Sequence, residues 1–266
     1  MTGRLVVCPT PIGNLEDVTL RVLDALREAD IVACEDTRHT GKLLKRHGID
    51  AKLVSYHERN EQRRAGELVK RIRGGETVAL VSDAGTPAVS DPGFVLVRAC
   101  ADAGLPVEVL PGAAAPVTAL VASALPADRW CFAGFLPRRK GELRRVLERT
   151  GETLVAFESP NRLAATLAEL AGVDPNRPVA VCRELTKLHE EVVRGTAAEL
   201  AQRFEGGTRG EVVLVIGAAA AGPDEEQLGA ALDAVERLTE AGARRRAAAQ
   251  VVSSLTGLPA NRLYRR

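Results

Sequence analysis

Over its first 110 residues the chain alternates short, uninterrupted apolar runs with longer segments of helical period, and no other feature restricts its fold as strongly. The runs are RLVVCPT, DIVACED, AKLVSYH, TVALVSD and PVEVL; between them lie TLRVLDALREA, GKLLKRHG, EQRRAGELVKRI and PGFVLVRACADAG. A strand with one wet face alternates apolar and polar residues. These runs do not, so both of their faces must be covered, which predicts a mostly parallel sheet with helices on both sides. Gly48, Gly74-Gly75 and Gly104 stand just past the periodic segments, where a left-handed residue closes a helix.

A second series begins after the loop PGAAAP and a helix around residues 117–124. It reads as strand WCFAGF, helix GELRRVLER, strand TLVAFES, helix NRLAATLAELAG, strand VAVCREL, a short EVVRGT, helix AAELAQRF and strand EVVLVIG. The fold class expected is α/β: two α/β domains, 1–114 and 115–220, with a cleft between them. The small, breaker-containing segment AAAAGPD reads as a linker to a third unit, 224–266. Helices are expected there near 225–239, 243–254 and 259–264, in a helix-turn-helix-like arrangement whose apolar side is Val251, Val252, Leu255, Leu258 and Leu263.

Only 3% of the residues are aromatic, against 45% hydrophobic, so the core must be built from Val, Leu, Ala and Ile. No apolar run approaches the roughly 18 residues of a membrane span, and Met1 leads straight into a strand-like segment, so a cytoplasmic location is expected. The five cysteines lack C-x-x-C spacing and sit in apolar runs, and the four histidines lack paired ligand spacing. Reduced core thiols and no metal site are expected. Net charge is +1, but Arg and Lys cluster at 138–140, 144–145, 244–246 and 262–266. Each cluster alone reads as a solvated face; together, around a cleft, they would follow a phosphate backbone.

Three loops leave apolar runs where ligands of open α/β sheets gather. They are Thr10-Pro11-Ile12-Gly13-Asn14-Leu15, Ser82-Asp83-Ala84-Gly85-Thr86-Pro87 continued by Ser90-Asp91-Pro92-Gly93, and Leu110-Pro111-Gly112-Ala113-Ala114-Ala115. Their small residues let backbone approach a ligand closely, and a carboxylate can accept from a ribose diol or an amino group. None is G-x-G-x-x-G, so a dinucleotide is not expected. Glu35-Asp36-Thr37-Arg38 has the plain alternative of a helix cap, Arg183-Glu184-Leu185-Thr186-Lys187 that of a surface ion pair, and His57 that of a surface histidine.

These blocks, with Tyr56-His57-Glu58-Arg59-Asn60-Glu61, Gly134-Phe135-Leu136-Pro137, Glu158-Ser159 and Gly210-Glu211, resemble over essentially the whole chain the RsmI-type 16S rRNA cytidine-2′-O-methyltransferases of the tetrapyrrole methylase superfamily. The resemblance implies S-adenosylmethionine as cofactor in the cleft, a homodimer, and 16S rRNA as partner, within the 30S subunit. It implies cofactor contacts at Pro11, Gly13, Asp83, Ala84, Gly85, Pro87, Pro111, Gly112, Ala113, Phe135, Arg183 and Gly210. Activation of a ribose hydroxyl calls for a carboxylate, imidazole or lysine, and Glu35, Asp36, Arg38, His57, Glu184 and Lys187 are the candidates for the acceptor side. Arg59 stands where relatives often carry a histidine, so that position supplies no imidazole. The alternatives are a superfamily methylase acting on a tetrapyrrole or other small molecule, and a non-catalytic RNA-binding protein that retains the fold.

Overall fold

The computed structural model describes residues 3–148, 151–219 and 223–264. The chain divides into two compact units, residues 1–218 and 219–266. In the first unit β1 (Arg4–Val7), β2 (Ile31–Cys34), β3 (Leu53–Ser55), β4 (Thr77–Val81) and β5 (Val107–Val109) pair in the order β3-β2-β4-β1-β5, each pairing parallel. Successive side chains of these strands go to opposite helix layers. Leu5 and Val7 pack with α3 (Glu61–Arg73) and α4 (Phe94–Asp102), whereas Val6 and Cys8 pack with α1 (Leu20–Glu28) and α2 (Thr37–Arg46). The lack of alternation in the sequence has this cause. Thr19 and Asp36 cap α1 and α2 through their side chains, and Gly48, Gly75 and Gly104 have positive φ; Gly74 does not.

The second sheet is mixed. Its strands β6 (Trp130–Phe135), β7 (Thr153–Glu158), β8 (Pro178–Arg183), β9 (Glu191–Thr196) and β10 (Val212–Ile216) run in the order β6-β7-β10-β8-β9, and the β6–β7 pairing is parallel while the others are antiparallel. One face packs on α6 (Lys140–Leu147), α7 (Leu163–Val173) and α8 (Ala197–Arg203) through Leu154, Ala156, Val181 and Leu214. The other face, with Val155, Ala180, Cys182 and Val213, takes Ala119 and Leu120 of α5 (Ala115–Ser123). Ile12, from the loop after β1, joins that second cluster. The carboxyl-terminal edge of the first sheet therefore abuts a face of the second.

The second unit consists of α9 (Pro223–Glu240), α10 (Arg245–Thr256) and α11 (Ala260–Leu263). Its core is Ala231, Val235, Ala248, Ala249, Val252, Leu258 and Leu263. The apolar side expected from sequence needs correction: Val251 is 50% and Leu255 80% exposed, and the small Ala248 and Ala249 face inward in their place. Part of the expected linker, residues 220–222, lies outside the described residues, as do Arg265 and Arg266 of the last basic cluster. No described helix is long and apolar enough to cross a membrane.

Candidate active site

The three loops of the first sheet are tied to one another. Thr10 and Gly85 exchange backbone hydrogen bonds of 2.8 and 2.9 Å, and the Thr10 hydroxyl donates to the Ser82 carbonyl at 3.0 Å. Thr86 donates to the Ala113 carbonyl at 3.2 Å, which links the second loop to the third. A fourth loop, after β8, joins them where the Asn14 amide donates to Thr186 Oγ1 at 3.1 Å. The glycines allow this closeness: a Cβ at Gly13 would lie 2.5 Å from Lys187 Cγ, and one at Gly112 2.6 Å from the Pro9 ring. Gly112 is thus required by the protein's own packing against Pro9.

Beside these loops lies a cavity of about 630 Å³. Ala84 to Thr86 and Val89 to Asp91 form one wall, Ala114 to Val117 another, and the face of the second sheet a third, through Phe132, Phe157, Cys182 and Val213. Phe157 meets Phe132 and Phe135 with ring centroids 5.0 and 5.3 Å apart. A mostly apolar pocket with a few polar groups is the usual form of a small-molecule site. The adjoining loops hold non-glycine residues in left-handed conformations, Ala88 (φ 70), Ser90 (φ 65), Glu184 (φ 52) and Thr186 (φ 67). Such conformations cost of order 1–3 kcal/mol each and cluster at functional sites.

Three groups of charged side chains border the cavity. Glu35, Asp83 and Asp91 converge at the carboxyl ends of β2 and β4; burial, then the Asp83 charge, holds the Glu35 carboxyl above its usual range, with nearby His57 opposing. Burial, Glu35 and Asp83 push Asp91 up to about 6. In the second group Lys187 Nζ lies 2.9 Å from Glu184 and 3.1 Å from Glu211. Its hydrogen bond to Glu184, with a second from the Glu211 amide, holds that carboxyl below its usual range. Burial pulls Lys187 down, but its two carboxylate partners outweigh that and hold it above its ordinary value. In the third group Glu158 is buried and accepts from the Ser159 amide at 2.7 Å and the Thr166 hydroxyl at 2.5 Å, with Arg162 at 3.4 Å.

Of the residues expected at the cofactor, Ala84, Gly85, Phe135 and Gly210 line the cavity. Pro11, Gly13, Asp83, Pro87, Pro111, Gly112 and Ala113 belong to the loops that frame it, and Arg183 is engaged with Glu191 at 3.2 Å. The six acceptor-side candidates fall into two groups, Glu35, Asp36, Arg38 and His57 beside Asp83, and Glu184 with Lys187 beside Glu211; none of the six lines the cavity itself. Asp36 caps α2 and pairs with exposed Arg38 at 2.7 Å, which holds its carboxyl well below the usual range. His57 is half-buried and meets Asn60 Nδ2 at 3.2 Å. Glu158, Trp130, Phe132 and Phe157 had no assigned role in the sequence, although Glu158 stands in the Glu-Ser pair. Burial pushes the Cys182 thiol, on the cavity wall, up to about 11. Among the described residues no group of three or more His, Cys, Asp or Glu is placed to hold a metal ion.

A family model described as Tetrapyrrole (Corrin/Porphyrin) Methylases matches residues 4–201. The protein named ribosomal RNA small subunit methyltransferase I from Micromonospora olivasterospora is 45% identical over 99% of this chain and 86% of its own length. The protein of the same name from Escherichia coli O157:H7 is 41% identical over 99% of this chain and 94% of its own. Among solved structures, the methyltransferase CobJ superposes with a TM-score of 0.61 at 22% identity, over 82% of this chain and 95% of that one. Uroporphyrin-III C-methyltransferase from Thermus thermophilus, complexed with S-adenyl homocysteine, gives 0.57 at 23% over 81% and 97%. The chain belongs to the tetrapyrrole methylase family and, within it, groups with the proteins named ribosomal RNA small subunit methyltransferase I.

Proposed function

We propose that this protein transfers the methyl group of S-adenosylmethionine to the 2′-hydroxyl of a cytidine in 16S rRNA of the small ribosomal subunit. The observation that carries the reading is the match, over nearly the entire chain, to relatives named for methylation of small-subunit ribosomal RNA. The cavity fits the cofactor in size and in chemistry: about 630 Å³, with aromatic walls for an adenine ring and loop backbone for its polar ends. Ala84, Gly85, Phe135 and Gly210 would hold it directly, and Pro11, Gly13, Asp83, Pro87 and Pro111 to Ala113 would shape the loops around it. When bound, the cofactor supplies an electrophilic methyl on a sulfonium. The protein's task is then to align the attacking oxygen and to keep water away, and alignment alone removes much of such a barrier.

The RNA side of the reading rests on charge. Arg139, Lys140 and Arg144 are partly neutralised by Glu142, Glu169 and Glu148, whereas Arg138 and Arg145 are exposed. Arg244 to Arg246 stand at the start of α10, Arg262 lies in α11, and no acidic residue follows Glu240, so the end of the second unit is the more strongly basic candidate. Removing residues 219–266 leaves the other compact unit whole, so S-adenosylmethionine affinity should hold within about twofold while affinity for 30S particles falls at least about tenfold. Full-length binding to the particles should weaken steeply between 50 and 200 mM salt as counterions compete, roughly 10³-fold or more if six phosphates are engaged. Equal methyl transfer by the truncated and full chains would remove the second unit from this role. A homodimer is part of the proposal: Val117 and Val121, one turn apart on α5, are 49% and 74% exposed, and Val109 on edge strand β5 is 60% exposed.

A further inference from the structure

Three acidic side chains line the cavity, and two are committed elsewhere. Glu158 receives two hydrogen bonds and faces Arg162; the Glu211 carboxylate is 76% exposed and paired with Lys187. Asp91 has no cationic partner among the described residues. Its immediate polar neighbour is the Ser82 hydroxyl, and the charged groups that face it are Glu35 at the end of β2 and Asp83 at the end of β4, with His57 and Glu58 beyond, beside Glu35. The backbone presents it to the cavity at some cost: Ala88 and Ser90 are left-handed without being glycine, and Gly93 closes the loop with φ 148. A carboxylate kept free of cations, pressed by like charges and turned into a mostly apolar cavity is suited to take up a proton.

Resting on the methyl-transfer reading above, we propose that Asp91 accepts the proton of the hydroxyl being methylated, and that Glu35 is a positioning residue that strengthens Asp91 as a base. As the oxygen–carbon bond forms and the sulfur–carbon bond breaks, the bonding pair stays on the sulfur of the S-adenosylhomocysteine product. The hydroxyl proton passes to a carboxylate oxygen of Asp91 and from there to water. With its carboxyl held near 6, Asp91 is ionised at neutral pH yet more basic than an ordinary aspartate.

The test is single-turnover methyl transfer from labelled S-adenosylmethionine to 30S particles across roughly pH 5 to 8.5, with calorimetric cofactor affinity measured on each variant. The parental rate should fall tenfold per pH unit below about 6. Asp91→Asn should lose about 100-fold and that acid limb, with cofactor affinity nearly unchanged, and Asp91→Glu should recover part of the rate. Glu35→Gln removes a like charge, so its limb should move to lower pH at unchanged cofactor affinity, which a merely structural role would not produce. Folding is checked independently. A carboxyl raised on folding costs stability once ionised, so Asp91→Asn should raise Tm at pH 8, and the gain should shrink as pH falls from about 6 towards 3.8. A near-parental rate and limb in Asp91→Asn, or a loss explained by weaker cofactor binding, would overturn the proposal alone. No transfer to the particles by the parental protein would overturn the substrate reading and this proposal with it.

Discussion

Ala114→Trp should reduce S-adenosylmethionine affinity by about 1,000-fold while leaving the melting temperature within a few degrees of the parent. Ala114 is the residue before α5, half-buried, with its side on the cavity wall and its carbonyl accepting from Thr118. An indole there rises into the space assigned to the cofactor instead of into packed protein. With about 27 non-hydrogen atoms at about 0.3 kcal/mol each, displacing half of the ligand removes about 4 kcal/mol, or three powers of ten in affinity. Calorimetry and thermal melting on the same sample separate this from unfolding. Unaltered affinity in a folded Ala114→Trp protein would put the cofactor elsewhere.

Glu158→Ala should cost about 3–5 kcal/mol of folding stability, because it leaves the Arg162 guanidinium, the Ser159 amide and the Thr166 hydroxyl without their shared acceptor. Arg162 also donates to the carbonyls of Leu136 and Pro137 at 3.1 and 2.6 Å. The damage therefore reaches the strand end that carries Phe135. Glu158→Gln keeps an acceptor oxygen and should lose less. Urea denaturation with an unchanged m-value measures both, since a constant slope means that the change lies in stability and not in the extent of unfolding. A loss below about 1 kcal/mol for Glu158→Ala would show that the buried carboxylate is not the hub described.

The first sheet was readable because its inner strands β2, β4 and β1 are buried on both faces, a condition that writes itself into sequence as unbroken apolar runs. Which strands are neighbours was not readable, since the order β3-β2-β4-β1-β5 depends on pairings between segments far apart in the chain. The cavity wall was hidden for a related reason. Along β7, Leu154 and Ala156 face the helices while Val155 and Phe157 face the cavity side, and nothing local marks which set is which. Asp91 lies in the turn Ser90-Asp91-Pro92-Gly93, which is plain in the sequence, but its environment is made by Glu35 and Asp83 from other strand ends, and only the fold assembles those three carboxylates. The helical tail misled through size: alanines turned inward at 248 and 249, where a pattern built on larger residues favoured Val251 and Leu255. Capping was the part of the site most legible from local chemistry, and Asp36 performs it as an ordinary N-cap aspartate does.

In the proposed function, the cavity between the loop edge of the first sheet and the face of the second holds S-adenosylmethionine and directs its methyl group to ribosomal RNA. The direct measurement is transfer of labelled methyl from S-adenosylmethionine to 30S particles in the presence of a metal chelator, with the modified nucleotide mapped, for the parent and for Ala114→Trp. The predicted result is one methyl per particle, on the 2′-oxygen of a cytidine in 16S rRNA, with Ala114→Trp inactive at cofactor concentrations that saturate the parent. Label on a base, on protein or on nothing, or equal transfer by Ala114→Trp, would contradict it.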